Sequence, residues 1–274
     1  MPELPEVETT CNGIKKQTLG CFITKVYVKQ FKLRYLIPQN INKLIKNAQI
    51  IDVKRKGKYG LIKLSNNLYI LFHLGMSGNI QIKSNINTIL KKHDHVAFFL
   101  DDKYIMIFND PRKFGFIDIL SKNDLISNKA LNKLGPDPLL KDFNKEYLSK
   151  ILSKKTINIK AAIMDQHIIA GLGNIYANEA LFMSKISPLR SSNSLSLKEY
   201  KKLADSIKKV LSQAINLGGS SLKDYSASNG KLGYFQTKFF VYNKEHDICK
   251  LCNGYIKKIL QSGRSTYYCN ICQK

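Results

Sequence analysis

The feature that most constrains this chain lies near its end: Cys249-Lys250-Leu251-Cys252 and Cys269-Asn270-Ile271-Cys272 form two Cys-x-x-Cys pairs separated by 16 residues. Two-residue spacing turns both sulfurs of a pair toward one ion, and two pairs supply four thiolates in a tetrahedron with no open position. The expected occupant is one structural Zn2+ held by Cys249, Cys252, Cys269 and Cys272. Between the pairs, Tyr255 to Leu260 and Ser265 to Tyr268 can form a hairpin with the tip Gln261-Ser262-Gly263-Arg264. So few residues cannot build a core unaided, so the metal must clamp the base of the hairpin. Arg264 then projects from the tip with Lys257 and Lys258 behind it, which suits phosphate contact. The competing reading is an arginine solvated at a turn. Cys11 and Cys21 have no such partners and read as bystanders.

The N-terminus, Met1-Pro2-Glu3-Leu4-Pro5-Glu6, lacks the basic flank and apolar run of a secretory signal. No stretch approaches the ~18 apolar residues of a membrane span. The expected location is the cytoplasm, where clustered cysteines hold metal more often than they form disulfides. Lys and Arg number 44 against 20 Asp and Glu, a net charge of +24, which points to a polyanionic partner such as nucleic acid. A/T-rich codon drift can swap Arg for Lys but does not remove acids. An anionic membrane surface and an unusually basic soluble enzyme are the other classes such a chain allows.

With 274 residues, 44% of them hydrophobic, the chain can supply two medium domains. Its first part alternates β-rich runs (Phe22 to Val28, Gln49 to Val53, Gly60 to Leu64, Tyr69 to Leu71) with turn signals, Asn66-Asn67 and Asp101-Asp102 among them. Antiparallel sheets packed face to face are the natural solution. Punctuation thickens at Leu134-Gly135-Pro136-Asp137-Pro138, and beyond it the periodicity is helical. Ser196-Leu197-Lys198-Glu199 has capping-box spacing, and Tyr200, Leu203, Ile207, Val210, Leu211 and Ala214 follow at helical intervals until Gly218-Gly219. Gly218 to Gly233, rich in Gly and Ser, reads as a mobile loop able to close over a ligand. The expected division is 1–133 for the sandwich, 134–150 as a linker, 151–235 for the helical domain and 236–274 for the finger.

Pro2-Glu3-Leu4-Pro5-Glu6-Val7-Glu8-Thr9 resembles the N-terminus of bacterial formamidopyrimidine-DNA glycosylases. So do His73-Leu74-Gly75-Met76-Ser77-Gly78, Lys92-His93-Asp94-His95, Asp110-Pro111-Arg112-Lys113-Phe114-Gly115, Gly171-Leu172-Gly173-Asn174-Ile175-Tyr176-Ala177 and the terminal finger. These motifs follow the family's order along essentially the whole chain. The resemblance implies an α+β multidomain fold: an N-terminal two-layer β-sandwich with flanking helices, a C-terminal helix-two-turns-helix domain and a zinc-finger β-hairpin, with DNA running across the cleft between domains. It also implies a monomer acting on damaged double-stranded DNA, with no membrane and no small-molecule cofactor.

By resemblance Pro2 is the nucleophile. Freed of Met1 it carries a secondary α-amine, and at a reference pKa near 8 about a tenth of such an amine is neutral at pH 7, against about one lysine in two thousand. A helix starting near Pro5 would turn its positive dipole end toward that amine and disfavour its protonation. Attack on C1′ of the sugar gives an iminium, which is an electron sink. Without the motifs, Pro2 would read only as a helix start. Glu3 is the implied acid that protonates the sugar ring oxygen, with Glu6 as a supporting carboxylate; acid work near neutrality needs a raised pKa. Glu8 reads as dipole stabilisation of the first turn. Lys58, in Arg55-Lys56-Gly57-Lys58-Tyr59, matches the catalytic lysine, a proton donor and phosphate contact. Arg264 matches the finger arginine that assists the second elimination.

A glycosylase must extrude its target nucleotide, so something has to fill the hole and satisfy the orphan base. Met76, Arg112 and Phe114 match the family's three filling residues: a flexible apolar plug, a donor to the N3 and O2 acceptors of cytosine, and a wedge. Preference for cytosine opposite the lesion is therefore expected to reside in Arg112; Met76 and Phe114 as ordinary core residues is the plainer alternative. Asn174 follows a Gly-x-Gly turn and can cap the next helix, directing backbone N–H groups at a phosphate. His93 and Lys155 match further DNA contacts, and a His93/His95 metal pair lacks a third ligand. Cys11-Asn12 departs from the two arginines frequent after the opening motif, which affects a local phosphate contact and not the chemistry. The implied reaction is excision of 8-oxoguanine and formamidopyrimidines through a Pro2 Schiff base with β,δ-elimination. The rivals are the endonuclease VIII branch, which removes oxidised pyrimidines, and a non-enzymatic zinc-finger nucleic-acid binder.

Overall fold

Turn residues in the first part of the chain divide it into strands that stack as two sheets. The computed structural model describes residues 1–220 and 233–274. After α1 (Leu4–Thr18) come β1 (Ile23–Val28), α2 (Ile41–Ile45), β2 (Ile50–Lys56), β3 (Tyr59–Leu64), β4 (Tyr69–His73), β5 (Asn79–Lys83), β6 (Asp94–Leu100), β7 (Tyr104–Asn109), β8 (Phe116–Leu120), α3 (Lys122–Ser127) and α4 (Lys129–Asn132). The strands form two four-stranded antiparallel sheets in the orders β1-β6-β7-β5 and β2-β3-β4-β8. One face of each is apolar: Ile62, Leu64 and Phe72 from one sheet share a cluster with Val96, Phe98 and Phe108 from the other, giving the two-layer sandwich. Val7, Cys11 and Ile14 of α1 join that cluster, and each fully buried aliphatic contributes ~1.5–3 kcal/mol. Asp101 and Asp102, with φ of 50° and 49°, close the β6–β7 hairpin, and Asn67, with φ of 63°, turns β3 into β4. Short polar side chains tolerate this left-handed region, which is why those pairs read as turns.

Chain contacts divide the molecule into two compact units, Met1–Asn132 with Leu217–Gln236, and Lys133–Asn216 with Thr237–Lys274. Residues 134–150 thus belong to the second unit, where Phe143 is fully buried, instead of standing apart as a linker. That unit holds α5 (Lys145–Leu152), α6 (Ile159–Met164), α7 (Asn174–Ser184), α8 (Leu197–Asn216), β9 (Ile256–Gln261) and β10 (Arg264–Cys269). α8 starts at the expected capping box: the Glu199 N–H donates to Ser196 Oγ at 3.3 Å and the Ser196 N–H to Glu199 Oε2 at 2.8 Å. Arg190 also bonds the Glu199 carboxylate, and that contact leads in lowering its pKa to about 2. The buried stripe of α8 includes Tyr200, Leu203, Ile207, Val210, Leu211 and Ala214, as the periodicity predicts. α7 is buried almost all round, between α6, α8 and β10. Most of the Gly218 to Gly233 segment, residues 221–232, lies outside the described residues.

Candidate functional site

The first unit fixes the start of the chain from within. Glu3 is the N-cap of α1, with extended backbone (φ −111°, ψ −169°). Pro2 beside it is buried, while Met1 is 44% exposed. Glu3 and Glu6 are only 2% and 1% exposed. Glu6 Oε2 accepts the Glu3 N–H at 2.9 Å, and its Oε1 accepts the Ser220 N–H at 2.7 Å and the Ser220 hydroxyl at 3.1 Å. A carboxylate engaged at both oxygens is a brace, and this one ties the first turn of α1 to Ser220.

Lys58 sits in the tight turn between β2 and β3, where Lys56 pairs with Tyr59 and Gly57 takes φ of 59°. A glycine at the first central position is what a type II′ hairpin turn requires. Lys58 is 8% exposed, so it is held in place and is no floppy basic run. Arg55 donates from Nε to Glu8 Oε2 at 2.6 Å and from Nη1 to the Gly57 carbonyl at 3.2 Å. Glu8 therefore does more than stabilise a helix dipole: through Arg55 it ties α1 to the lysine turn. His73, opposite Tyr59 on β4, stacks on Phe116. Burial, assisted by the Lys58 and Arg34 cations, lowers its pKa to about 4. The neutral ring accepts the Gly75 N–H at Nδ1, 3.0 Å away.

Met76 is 36% and Phe114 46% exposed, so neither is a core residue. Arg112 is exposed, and its guanidinium lies over the Phe114 ring, 4.8 Å from the centroid. The turns carrying these residues touch through their backbones: at Gly75, with φ of 62°, a Cβ would collide with the Phe114 carbonyl carbon and the Gly115 nitrogen. His93 is half-buried just before β6. The His95 ring bonds the Asp110 carbonyl through Nε2 at 2.8 Å. Among the described residues the two histidines belong to no group of three or more metal-ligating side chains.

In the second unit, Asn174 is not the helix cap. Gly173, extended at φ −130° and ψ −164°, takes that position, and Asn174 begins α7. Its Nδ2 instead donates to the Ser265 carbonyl at 3.0 Å. Lys160 of α6, 2% exposed, reaches the same strand, donating to the Ser265 carbonyl at 2.9 Å and Thr266 Oγ1 at 2.7 Å. Asn178 Oδ1 accepts the Tyr267 N–H at 2.7 Å. Three side chains from α6 and α7 thus hold β10 just past Arg264. The hairpin tip is shorter than expected: Ser262 and Gly263, with φ of 49° and 71°, make a two-residue type I′ turn, and Arg264 pairs with Gln261 as the exposed first residue of β10. Lys258 is bound to Glu245 at 2.9 Å, while Lys257 is exposed. Lys155 is half-buried after α5. The ties made by Glu8 and Lys160 were not legible in the sequence, because their partners lie 47 and 105 or 106 residues away.

The sulfurs of Cys249, Cys252, Cys269 and Cys272 all lie within 4.8 Å of one another, with 3.8 Å between Cys249 and Cys272 and 3.4 Å between Cys252 and Cys269. Zinc–sulfur bonds of ~2.3 Å make tetrahedron edges of ~3.8 Å, so the cluster is shaped for one metal ion. The Gly254 N–H leads in lowering the Cys252 pKa to about 7, whereas burial leads in pushing Cys269 and Cys272 up. Four crowded thiols cannot all ionise without a cation, and a divalent ion resolves that conflict.

Residues 1–117 match the family model described as the formamidopyrimidine-DNA glycosylase N-terminal domain, and residues 134–226 the one described as the formamidopyrimidine-DNA glycosylase H2TH domain. A formamidopyrimidine-DNA glycosylase of Wolbachia sp. subsp. Brugia malayi is 47% identical over the full length of both chains. A point mutant of Lactococcus lactis FPG, in complex with Fapy-dG-containing DNA, superposes with a TM-score of 0.92 at 32% identity, covering 100% of both chains. L. lactis Fpg bound to abasic-site DNA gives the same score and identity over 99% of each chain.

Proposed function

The chain belongs to the formamidopyrimidine-DNA glycosylase family, base-excision repair glycosylases with abasic-site lyase activity, and from that premise we propose that it excises oxidised purines from duplex DNA through an iminium at Pro2. The targets are 8-oxoguanine opposite cytosine and ring-opened formamidopyrimidines. The L. lactis complexes with Fapy-dG and abasic-site DNA support damaged DNA as the partner. Removal of Met1 frees the Pro2 amine, which forms a bond to C1′ while the C1′–base bond breaks and its electron pair leaves with the base. Glu3 protonates the sugar ring oxygen, opening the ring to the iminium. The iminium then accepts the electrons released when C2′ loses a proton, and the C3′–oxygen bond breaks; the same logic at C5′ breaks the second strand bond. Lys58 serves proton transfer and phosphate contact, and Arg264 assists the second elimination. Hydrolysis frees Pro2 and leaves a gap bounded by phosphates.

The observation that carries this reading is the buried Glu3 beside Pro2, its backbone held by Glu6 at 2.9 Å. DNA grip falls to His93, Arg112, Lys155 and Asn174, with Met76 and Phe114 filling the vacated stack. Zn2+ at the four cysteines supplies folding free energy to the hairpin that carries Arg264. The enzyme works as a monomer in the cytoplasm. A lesion panel under borohydride tests the reading: 8-oxoguanine:cytosine and formamidopyrimidine duplexes should trap covalently, and a chain blocked by an uncleaved N-terminal extension should not. Trapping by the blocked chain, or a preference for oxidised pyrimidines, contradicts it.

A further inference from the structure

Met76, Arg112 and Phe114 are exposed, so burial does not fix them; their placement comes from the two turns that carry them. Asp110 stands at the root of one turn and is 0% exposed. Its Oδ1 accepts the Ser77 hydroxyl at 2.6 Å, and its Oδ2 accepts the Gly115 N–H at 2.7 Å. The Arg112 N–H is shared between Ser77 Oγ at 3.1 Å and Asp110 Oδ1 at 3.3 Å. One carboxylate therefore brackets the loop from Arg112 to Gly115, with Phe114 inside it and Lys113 bent to φ of 57°. The Asp110 main chain is anchored as well: its carbonyl accepts from the His95 ring at 2.8 Å and the Lys113 N–H at 3.2 Å, and its N–H donates to the His93 carbonyl at 3.0 Å.

Ser77 belongs to the other turn, directly after Met76. That turn is closed by Gly78 N–H donating to the Leu74 carbonyl at 2.8 Å and Gly75 N–H donating to His73 Nδ1 at 3.0 Å. The Ser77 hydroxyl is donor to one turn's carboxylate and acceptor from its backbone, so the direction of both bonds is fixed. A buried charge-assisted hydrogen bond is stronger than a neutral one and costly to leave half-made.

We infer that Ser77 and Asp110 form a positioning pair that locks the Met76 turn to the Arg112–Phe114 turn, so that discrimination of the base opposite the lesion depends on a carboxylate buried out of reach of DNA. The inference rests on reading Met76, Arg112 and Phe114 as the residues that fill the vacated stack. Neither Ser77 nor Asp110 touches the reacting atoms. Their effect is on where Arg112 presents its donors, and therefore on the ratio of excision rates opposite cytosine and opposite adenine more than on either rate alone.

The test is single-turnover excision of 8-oxoguanine opposite cytosine and opposite adenine by the zinc-loaded full chain and by Ser77→Ala, Asp110→Asn and Arg112→Ala, with melting temperatures measured alongside. The cytosine-to-adenine ratio should fall about tenfold in Arg112→Ala and roughly threefold or more in Ser77→Ala and Asp110→Asn. A merely structural pair lowers melting temperature and both rates in parallel; an unchanged ratio in Ser77→Ala and Asp110→Asn, with Arg112→Ala still losing it, overturns the inference alone. An unchanged ratio in Arg112→Ala overturns the filling assignment and the inference with it. Ser77→Ala decides the matter if Asp110→Asn does not fold.

Discussion

The two units hold their candidate site residues in opposite ways. In the first, buried carboxylates brace the chain locally: Glu6 holds the N–H of the buried Glu3 at the start of α1, and Asp110 holds Ser77, Arg112 and Gly115 in the turns that carry the exposed Met76, Arg112 and Phe114. The Met76 turn joins β4 to β5 and the Arg112–Phe114 turn joins β7 to β8, so these braces act on strands that already share a large two-sheet core. In the second, Arg264 stands on a two-stranded hairpin fastened by a four-cysteine cluster at one end and by Lys160, Asn174 and Asn178 along one strand. Such a hairpin has little core of its own, so its fasteners determine whether it exists at all. The difference teaches that a hydrogen bond carries unequal weight where the underlying core differs.

Metal removal should have the largest effect. Structural zinc sites in small fingers carry apparent binding free energies of about 10–16 kcal/mol, so chelation or Cys252→Ser should unfold the hairpin and reduce strand cleavage by roughly a hundredfold or more. Zinc content and lesion cleavage measured on the same sample check this; full cleavage by metal-free protein would erase the contrast between the units.

The first unit should instead respond to acid. The His73 pKa falls from its ordinary 6.5 to about 4, burial being the main cause. A base whose folded-state pKa is depressed stays neutral while the unfolded chain takes the proton, so its contribution is full above pH 6.5 and declines as pH falls from 6.5 toward 4. The shift corresponds to at most about 3 kcal/mol over that window. Melting temperature against pH should show the decline, and His73→Gln, which keeps an acceptor for the Gly75 N–H and does not titrate, should flatten it.

Lys160→Met should give the smallest of these effects. Losing its bonds leaves the buried Thr266 Oγ1 short of a donor, while the Ser265 carbonyl keeps the Asn174 amide, a cost of about 1–3 kcal/mol. Because those residues follow Arg264, the second elimination should suffer more than the first, and denaturing gels should show β-product accumulating over δ-product. An unchanged product ratio would make Lys160 a packing residue only.

What was legible in the sequence was what is local. Left-handed Asp101, Asp102 and Asn67 announce hairpins, Ser196 and Glu199 announce a helix start, and the spacing within each cysteine pair announces a cysteine cluster able to hold a metal ion, because each signal and its consequence lie close along the chain. The braces were not legible. Glu8 reads as a first-turn acid until β2 brings Arg55 beside it, and Ser77 and Asp110 stand in separate motifs, 33 residues apart, with nothing in either to say that their side chains meet. Asn174 shows the same limit from the other side: its local signal suggested a cap, and a strand 91 residues distant claimed its amide instead.

The account depends above all on a covalent bond between the Pro2 nitrogen and the sugar of the damaged nucleotide. Borohydride reduction of the enzyme on 8-oxoguanine:cytosine DNA, followed by proteolysis and peptide mass mapping, tests it directly. The account predicts the reduced sugar adduct on the peptide that begins at Pro2; an adduct on a lysine peptide, or cleavage by chains that all retain Met1, would contradict it.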